Sequence, residues 1–73
     1  MLLTMKKEAS KKLGDNIKKI RLQKKMSQGD ICRAIGVDRA YVSNIESGNK
    51  NPTLATIEKI AGALKVTSDK LLK

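Results

Sequence analysis

The chain has 73 residues, one cysteine and no histidine; sixteen Lys and Arg against seven acids leave a formal net charge of +9. That length suits one domain, near the lower size at which a core holds without staples. Lone Cys32 excludes an internal disulfide framework, and the lack of His excludes His-based zinc or catalytic sites. No apolar run is long enough to span a membrane, and MLLTMKKEAS lacks the apolar block of a signal peptide, so a cytoplasmic protein is expected. The charge is uneven. Residues 1–25 carry nine basic and two acidic groups, net +7, whereas 26–73 carry seven and five, net +2. A polyanion is the implied partner, nucleic acid first, although a lysine-rich surface also serves solubility alone. A single aromatic residue, Tyr41, argues against single-stranded nucleic acid, whose binding usually rests on stacking platforms.

In chain order, residues 1–10 form a basic segment, with Leu2, Leu3 and Met5 either packing on the domain or belonging to a free arm. The domain proper is expected over 11–73. Ala9, Leu13, Ile17 and Ile20 fall at helical spacing and predict a first helix from Ser10 to Lys25, with Thr4 as an alternative start. Gly14 inside it weakens the helix by about 1 kcal/mol relative to Ala, which a closely approaching neighbour would account for. Lys18, Lys19, Lys24 and Lys25 lie off the apolar stripe. Ser27 is the N-cap of a second helix, with Asp30 three residues on, close to a capping-box pair. Ile31 and Ile35 give this helix an apolar edge, with small Cys32 beside it, and Gly36 supplies a left-handed residue past its end.

Asp38 caps a third helix, with Val42 and Ile45 on its apolar edge. Ser47 to Pro52 form the next break, in which Gly48 can end the helix and Pro52 presets the backbone for the fourth. Thr53 caps that fourth helix, with Leu54 at its start and Ile57, Ile60, Ala61 and Leu64 as its buried stripe. Thr67 caps a last short helix bearing Leu71 and Leu72. The fold class is therefore all-α: five short helices in a compact bundle, with a helix-turn-helix at the second and third.

The outer side of the third helix holds Arg39, Ala40, Ser43 and Asn44, groups suited to base edges in a DNA major groove. An Arg fork matches guanine O6 and N7, a methyl meets the thymine methyl, an amide pairs with adenine N6 and N7, and a hydroxyl reaches base or phosphate. Gln28 opens the second helix, where free N–H groups and the helix dipole already favour an anion.

QGDICRAIGVDRAYVSNIE resembles the helix-turn-helix of the XRE family, the group of phage Cro and lambda-type repressors. Gln28, the small Cys32, the turn glycine Gly36 and apolar Val42 and Ile45 carry the likeness. KKIRLQKKMSQ before the motif and ESGNKNPTLATIEKIAGALKV after it extend the likeness to residues 12–72. The resemblance implies a lambda-repressor-like domain with its third helix in the major groove of double-stranded DNA. It implies an ion pair between Arg21 and Glu46, a phosphate contact at Gln28, and further phosphate contacts at Lys50 and Asn51. The Tyr41 ring packs at the edge of the apolar stripe, and its hydroxyl is a further candidate for phosphate.

The resemblance also implies a homodimer reading a pseudo-palindromic operator through two half-sites, since one recognition helix specifies too few base pairs alone. Leu64, Val66, Leu71 and Leu72 are the expected dimer patch, with completion of the monomer core as the alternative, the reading favoured for Leu64. Within the family, VDRAYVSNIESGNKNPTL is similar to restriction–modification controller proteins, in which Asp-Arg-x-Tyr opens the recognition helix. Ser47, Gly48 and Asn49 depart from the Arg that those proteins often carry there. A prophage or mobile-element repressor has the same outline, as does an antitoxin whose main partner is a toxin. No enzyme, cofactor or metal is expected, because the seven scattered acids offer no paired carboxylates and there is no base for a nucleophile.

Overall fold

Three of the helices begin where a side chain caps the first turn, and the chain turns left-handed at Lys25, Gly36, Gly48 and Lys65 between them. The computed structural model describes residues 7–73, so Leu2, Leu3 and Met5 lie outside the described residues. Within them the order is α1 (Lys7–Gln23), α2 (Gln28–Ile35), α3 (Arg39–Glu46), α4 (Leu54–Leu64) and α5 (Ser68–Leu72). Ser27 Oγ accepts the Asp30 N–H at 3.0 Å while the Ser27 N–H donates to Asp30 Oδ2 at 2.8 Å, a reciprocal capping box that opens α2. Asp38 caps α3 through the Tyr41 N–H at 2.9 Å, and Thr53 caps α4 through that of Thr56 at 3.2 Å. Thr67 takes the N-cap position of α5 with extended backbone but makes no side-chain cap hydrogen bond, contrary to expectation.

The first helix extends past Ser10 on one side and stops short of Lys25 on the other, and the alternative start at Thr4 lies outside the described residues. It already includes Lys7, and it stops at Gln23. Lys25 adopts φ +59°, and the Met26 N–H turns back to the Arg21 carbonyl at 3.0 Å. This left-handed termination brings the Met26 carbonyl onto Arg21 Nη1 at 2.8 Å and delivers Ser27 to its capping position. Lys65 ends α4 in the same way at φ +60°, with the Val66 N–H bonded to the Ala61 carbonyl. In both places lysine occupies a conformation usually given to glycine.

The buried stripe of α1 is also rotated from the expected one. Ala9 is exposed, whereas Ser10, Leu13, Gly14, Ile17 and Arg21 are buried. Leu54, the first residue of α4, is 62% exposed. The core is built from Leu13 and Ile17 of α1, Ile31 and Cys32 of α2, Val42 and Ile45 of α3, Ile57, Ile60, Ala61 and Leu64 of α4, and Leu71 of α5. Asn16 Nδ2 donates to the Leu71 carbonyl at 3.0 Å and ties α5 to α1.

One contact decides where α1 lies. A Cβ at Gly14 would overlap the carbonyl oxygens of Ile45 and Glu46, and would sit 2.8 Å from the Glu46 carbonyl carbon. Only glycine lets the two backbones approach this closely, so α1 seats on the C-terminal end of α3 from behind. The opposite side of α3 is left to solvent.

Candidate nucleic-acid interface

Helix periodicity divides α3 into two faces, with Tyr41 half-buried between them. Val42, Ile45 and Glu46 are buried, while Arg39, Ala40, Ser43 and Asn44 are exposed. Spacings of one, four and five residues put these four on a single outward face. One guanidinium, one methyl, one hydroxyl and one amide are therefore presented together on a rigid, capped helix. A major groove about 12 Å wide admits an α-helix of this kind.

The C-terminal end of α3 is fixed from beneath by charge. Arg21 Nε donates to Glu46 Oε2 at 2.7 Å and Arg21 Nη2 to Glu46 Oε1 at 3.1 Å, a two-pronged pair with side chains 9% and 4% exposed. The remaining guanidinium nitrogen, Nη1, is taken by the Met26 carbonyl. Each of the three guanidinium nitrogens thus has a partner, the condition under which a buried ion pair holds its geometry.

Gln28 is half-buried at the first turn of α2, and its Nε2 donates to Glu46 Oε1 at 3.0 Å. The amide expected to meet a phosphate is therefore also tied to the end of α3. One amide N–H and the carbonyl oxygen stay available beside the free backbone N–H groups of the α2 N-terminus. Asp30 places a negative charge at the same helix end, and Arg33 Nη2 covers it at 2.6 Å. The Ser27 N–H holds the Asp30 carboxyl below its ordinary value; desolvation opposes it, and the Ser27 hydroxyl and Arg33 add to the lowering.

On the other side of α3 the chain turns at Gly48, φ +83°, into an exposed loop containing Lys50 and Asn51. Lys50 Nζ lies 5.1 Å from the centre of the Tyr41 ring, a cation–π arrangement. Tyr41 is half-buried against the core, and its hydroxyl is 3.5 Å from Thr56 Oγ1, the long limit of a hydrogen bond. The ring thus supports Lys50 from below. Asn51 Oδ1 accepts a hydrogen bond from the buried hydroxyl of Ser10, a residue whose part in this region has no local sequence signal.

The expected dimer patch is corrected by burial. Leu64 and Leu71 are both 0% exposed because α1, α4 and α5 close around them, so neither is available to a second chain. Val66 is half-buried and Leu72 is 49% exposed, and these two keep apolar surface. Cys32 is a buried free thiol. Among the described residues no cluster of three His, Cys, Asp or Glu is placed to hold a metal, and no helix is long and apolar enough to cross a membrane.

The model of the helix-turn-helix family HTH_3 matches residues 17–71. Control protein C.MunI of Mycoplasma sp is 38% identical over 61 residues, covering 82% of this chain and 82% of that protein. The immunity repressor protein of Bacillus phage phi105 is 37% identical over 54 residues; the match takes in 74% of this chain but only 38% of the longer repressor. Among solved structures, the restriction-modification controller protein C.Esp1396I, as a tetramer in complex with its natural 35 base-pair operator, superposes with TM-score 0.75 at 34% identity. That match covers 89% of this chain and 96% of the controller chain.

Proposed function

This chain belongs to the helix-turn-helix family HTH_3, the XRE type, and on that premise we propose that it is a sequence-specific regulator of transcription that binds duplex DNA as a homodimer. The observation that carries the proposal is the outward face of α3. Arg39, Ala40, Ser43 and Asn44 stand exposed together, while Glu46 and the core residues of the same helix face inward.

With α3 in the major groove, Arg39 at the first turn leads into the base pairs and grips guanine O6 and N7. Ala40 meets a thymine methyl, Asn44 pairs with adenine, and Ser43 bonds a base or the adjacent phosphate. Gln28 and the first turn of α2 take a phosphate on one side of the groove. Lys50, propped on Tyr41, and Asn51 take phosphates on the other side. These flanking contacts set the position of α3 and carry no sequence information themselves. The lysines of α1 add long-range attraction.

Dimerisation supplies the second half-site, at a spacing of about 34 Å. Val66 and Leu72 are the apolar residues left to it on the C-terminal side. C.Esp1396I, a tetramer on its operator, supports an oligomeric DNA complex. Similarity to C.MunI over most of both chains supports a controller of the restriction–modification type. A regulator of this kind acts in the cytoplasm, on the nucleoid.

Selection of bound sequences from random duplex DNA by the purified protein tests the proposal. A pseudo-palindrome with half-sites about one helical turn apart is the expected product. Affinity is expected to fall steeply with salt as counterions are released from the neutralised phosphates. No enriched sequence, or competition by duplex DNA no better than by heparin, overturns it.

A further inference from the structure

We propose that Ser10 is a positioning residue for DNA binding: its buried hydroxyl sets the amide of Asn51 so that the Nδ2 group faces a backbone phosphate. The inference rests on the functional reading above, and deepens it for one side of the groove.

An asparagine amide is two-sided, an acceptor oxygen opposite a two-donor nitrogen. Only the nitrogen suits a phosphate, and a free side chain in an exposed loop rotates between both orientations. Here the Ser10 hydroxyl donates to Asn51 Oδ1. Ser10 is 3% exposed, whereas Asn51 is exposed. The oxygen is thereby held inward against α1 and the nitrogen directed to the solvent side. Among the described residues the hydroxyl bonds nothing but Asn51, and burial alone would be served as well by alanine at that position.

A separate observation places the loop. Gly48 approaches the backbone of α1 so closely that a Cβ on it would stand 2.9 Å from Lys11 Cα. The turn entering the loop is therefore seated on the residue next to Ser10, and the Ser10–Asn51 bond completes an anchorage that the backbone begins. The same helix governs the opposite side of the groove, where Arg21 holds Glu46 and Glu46 holds Gln28. One helix, seated by Gly14 on the back of α3, thus sets the amides on both flanks of the recognition face.

The test is a double-mutant cycle on Ser10→Ala and Asn51→Ala, read as affinity for a selected operator and for an unrelated duplex, with thermal stability measured alongside. Asn51→Ala is expected to weaken binding to both duplexes about three- to ten-fold, the worth of one hydrogen bond. Ser10→Ala is expected to reproduce most of that loss, and the double variant to bind no worse than Asn51→Ala alone, since the two changes remove one contact. The slope of affinity against salt stays unchanged in all three, because no charge is removed. Neutralising single phosphates as methylphosphonates adds a readout that a purely structural role would not move. One phosphate is expected to matter for the native chain and to lose its effect in both single variants.

Additive losses, or a Ser10→Ala variant that melts lower but binds as the native chain does, overturn the positioning role. If Asn51→Ala binds normally while Arg39→Ala still loses base preference, the Ser10 inference falls and the DNA-binding reading stands. Loss of neither overturns both.

Discussion

Arg21 and Glu46 meet as a two-pronged, almost fully buried ion pair that binds the end of α1 to the end of α3. Truncating one partner leaves the other charged and out of water. Arg21→Met is therefore expected to cost about 3–5 kcal/mol, measured as a lowered midpoint in urea. The double variant Arg21→Met, Glu46→Leu should recover much of that loss, since apolar groups of similar volume need no desolvation of charge. A double variant as unstable as the single one would show that the pair matters through Gln28 and Met26 rather than through burial of charge.

Gly14 and Gly62 predict opposite responses to the same substitution. Both are helical, and propensity alone says that alanine stabilises each by about 1 kcal/mol. Gly62 has open space where a Cβ would stand, so Gly62→Ala is expected to raise the melting temperature. Gly14→Ala drives a methyl into the backbone carbonyls of α3, which no rotamer change relieves. A loss of about 1–3 kcal/mol or more is expected. A stabilised Gly14→Ala chain would refute the close seating of α1 on α3.

Substitutions at Arg39 and Gln28 are expected to separate base reading from phosphate binding. Arg39→Ala should relax preference at one base pair per half-site by about 1–3 kcal/mol, with little change in affinity for other sequences. Gln28→Ala should weaken every sequence alike by about 1 kcal/mol, while leaving the Arg21–Glu46 pair in place. Binding arrays of single-base operator variants resolve the two patterns, and a base-specific effect of Gln28→Ala would remove it from the phosphate role.

Acid stability is expected to depend on the α2 cap. The folded-state pKa of Asp30 lies below the ordinary 3.8, first because the Ser27 N–H bonds its carboxylate. Its contribution is thus complete above the unfolded value and is lost as pH falls through the lower folded one. Asp30→Asn should flatten the decline of melting temperature below about pH 4. Asp69, lowered chiefly by the Thr67 hydroxyl, titrates in the same sense and leaves a residual slope. An unchanged acid limb would mean that the capping box does not persist in solution.

Much of the architecture was legible because its causes are local. Ser27, Asp38 and Thr53 cap their own helices within three residues, Gly36 and Gly48 turn the chain at positive φ, and 3.6-residue periodicity separates the inner and outer faces of α2 and α3. The outward set of Arg39, Ala40, Ser43 and Asn44 is a consequence of that periodicity, as is the inward direction of Val42 and Ile45.

The remainder was settled by contacts between distant parts of the chain. Leu64 follows from the spacing of the α4 stripe, but nothing near Leu71 distinguishes a core leucine from an interfacial one; that choice was made when α5 packed on α1. Lys25 ends α1 in a conformation its own propensity disfavours, because Arg21 and the α2 cap hold the turn from outside. Gln28 finds Glu46 across 18 positions and Asn51 finds Ser10 across 41. Sequence by itself determined which residues of α3 share its exposed face, since that depends on helical pitch alone. Tertiary structure decided how the flanking amides are aimed, since a side chain's hydrogen-bond partner is chosen by packing and not by its neighbours in the chain.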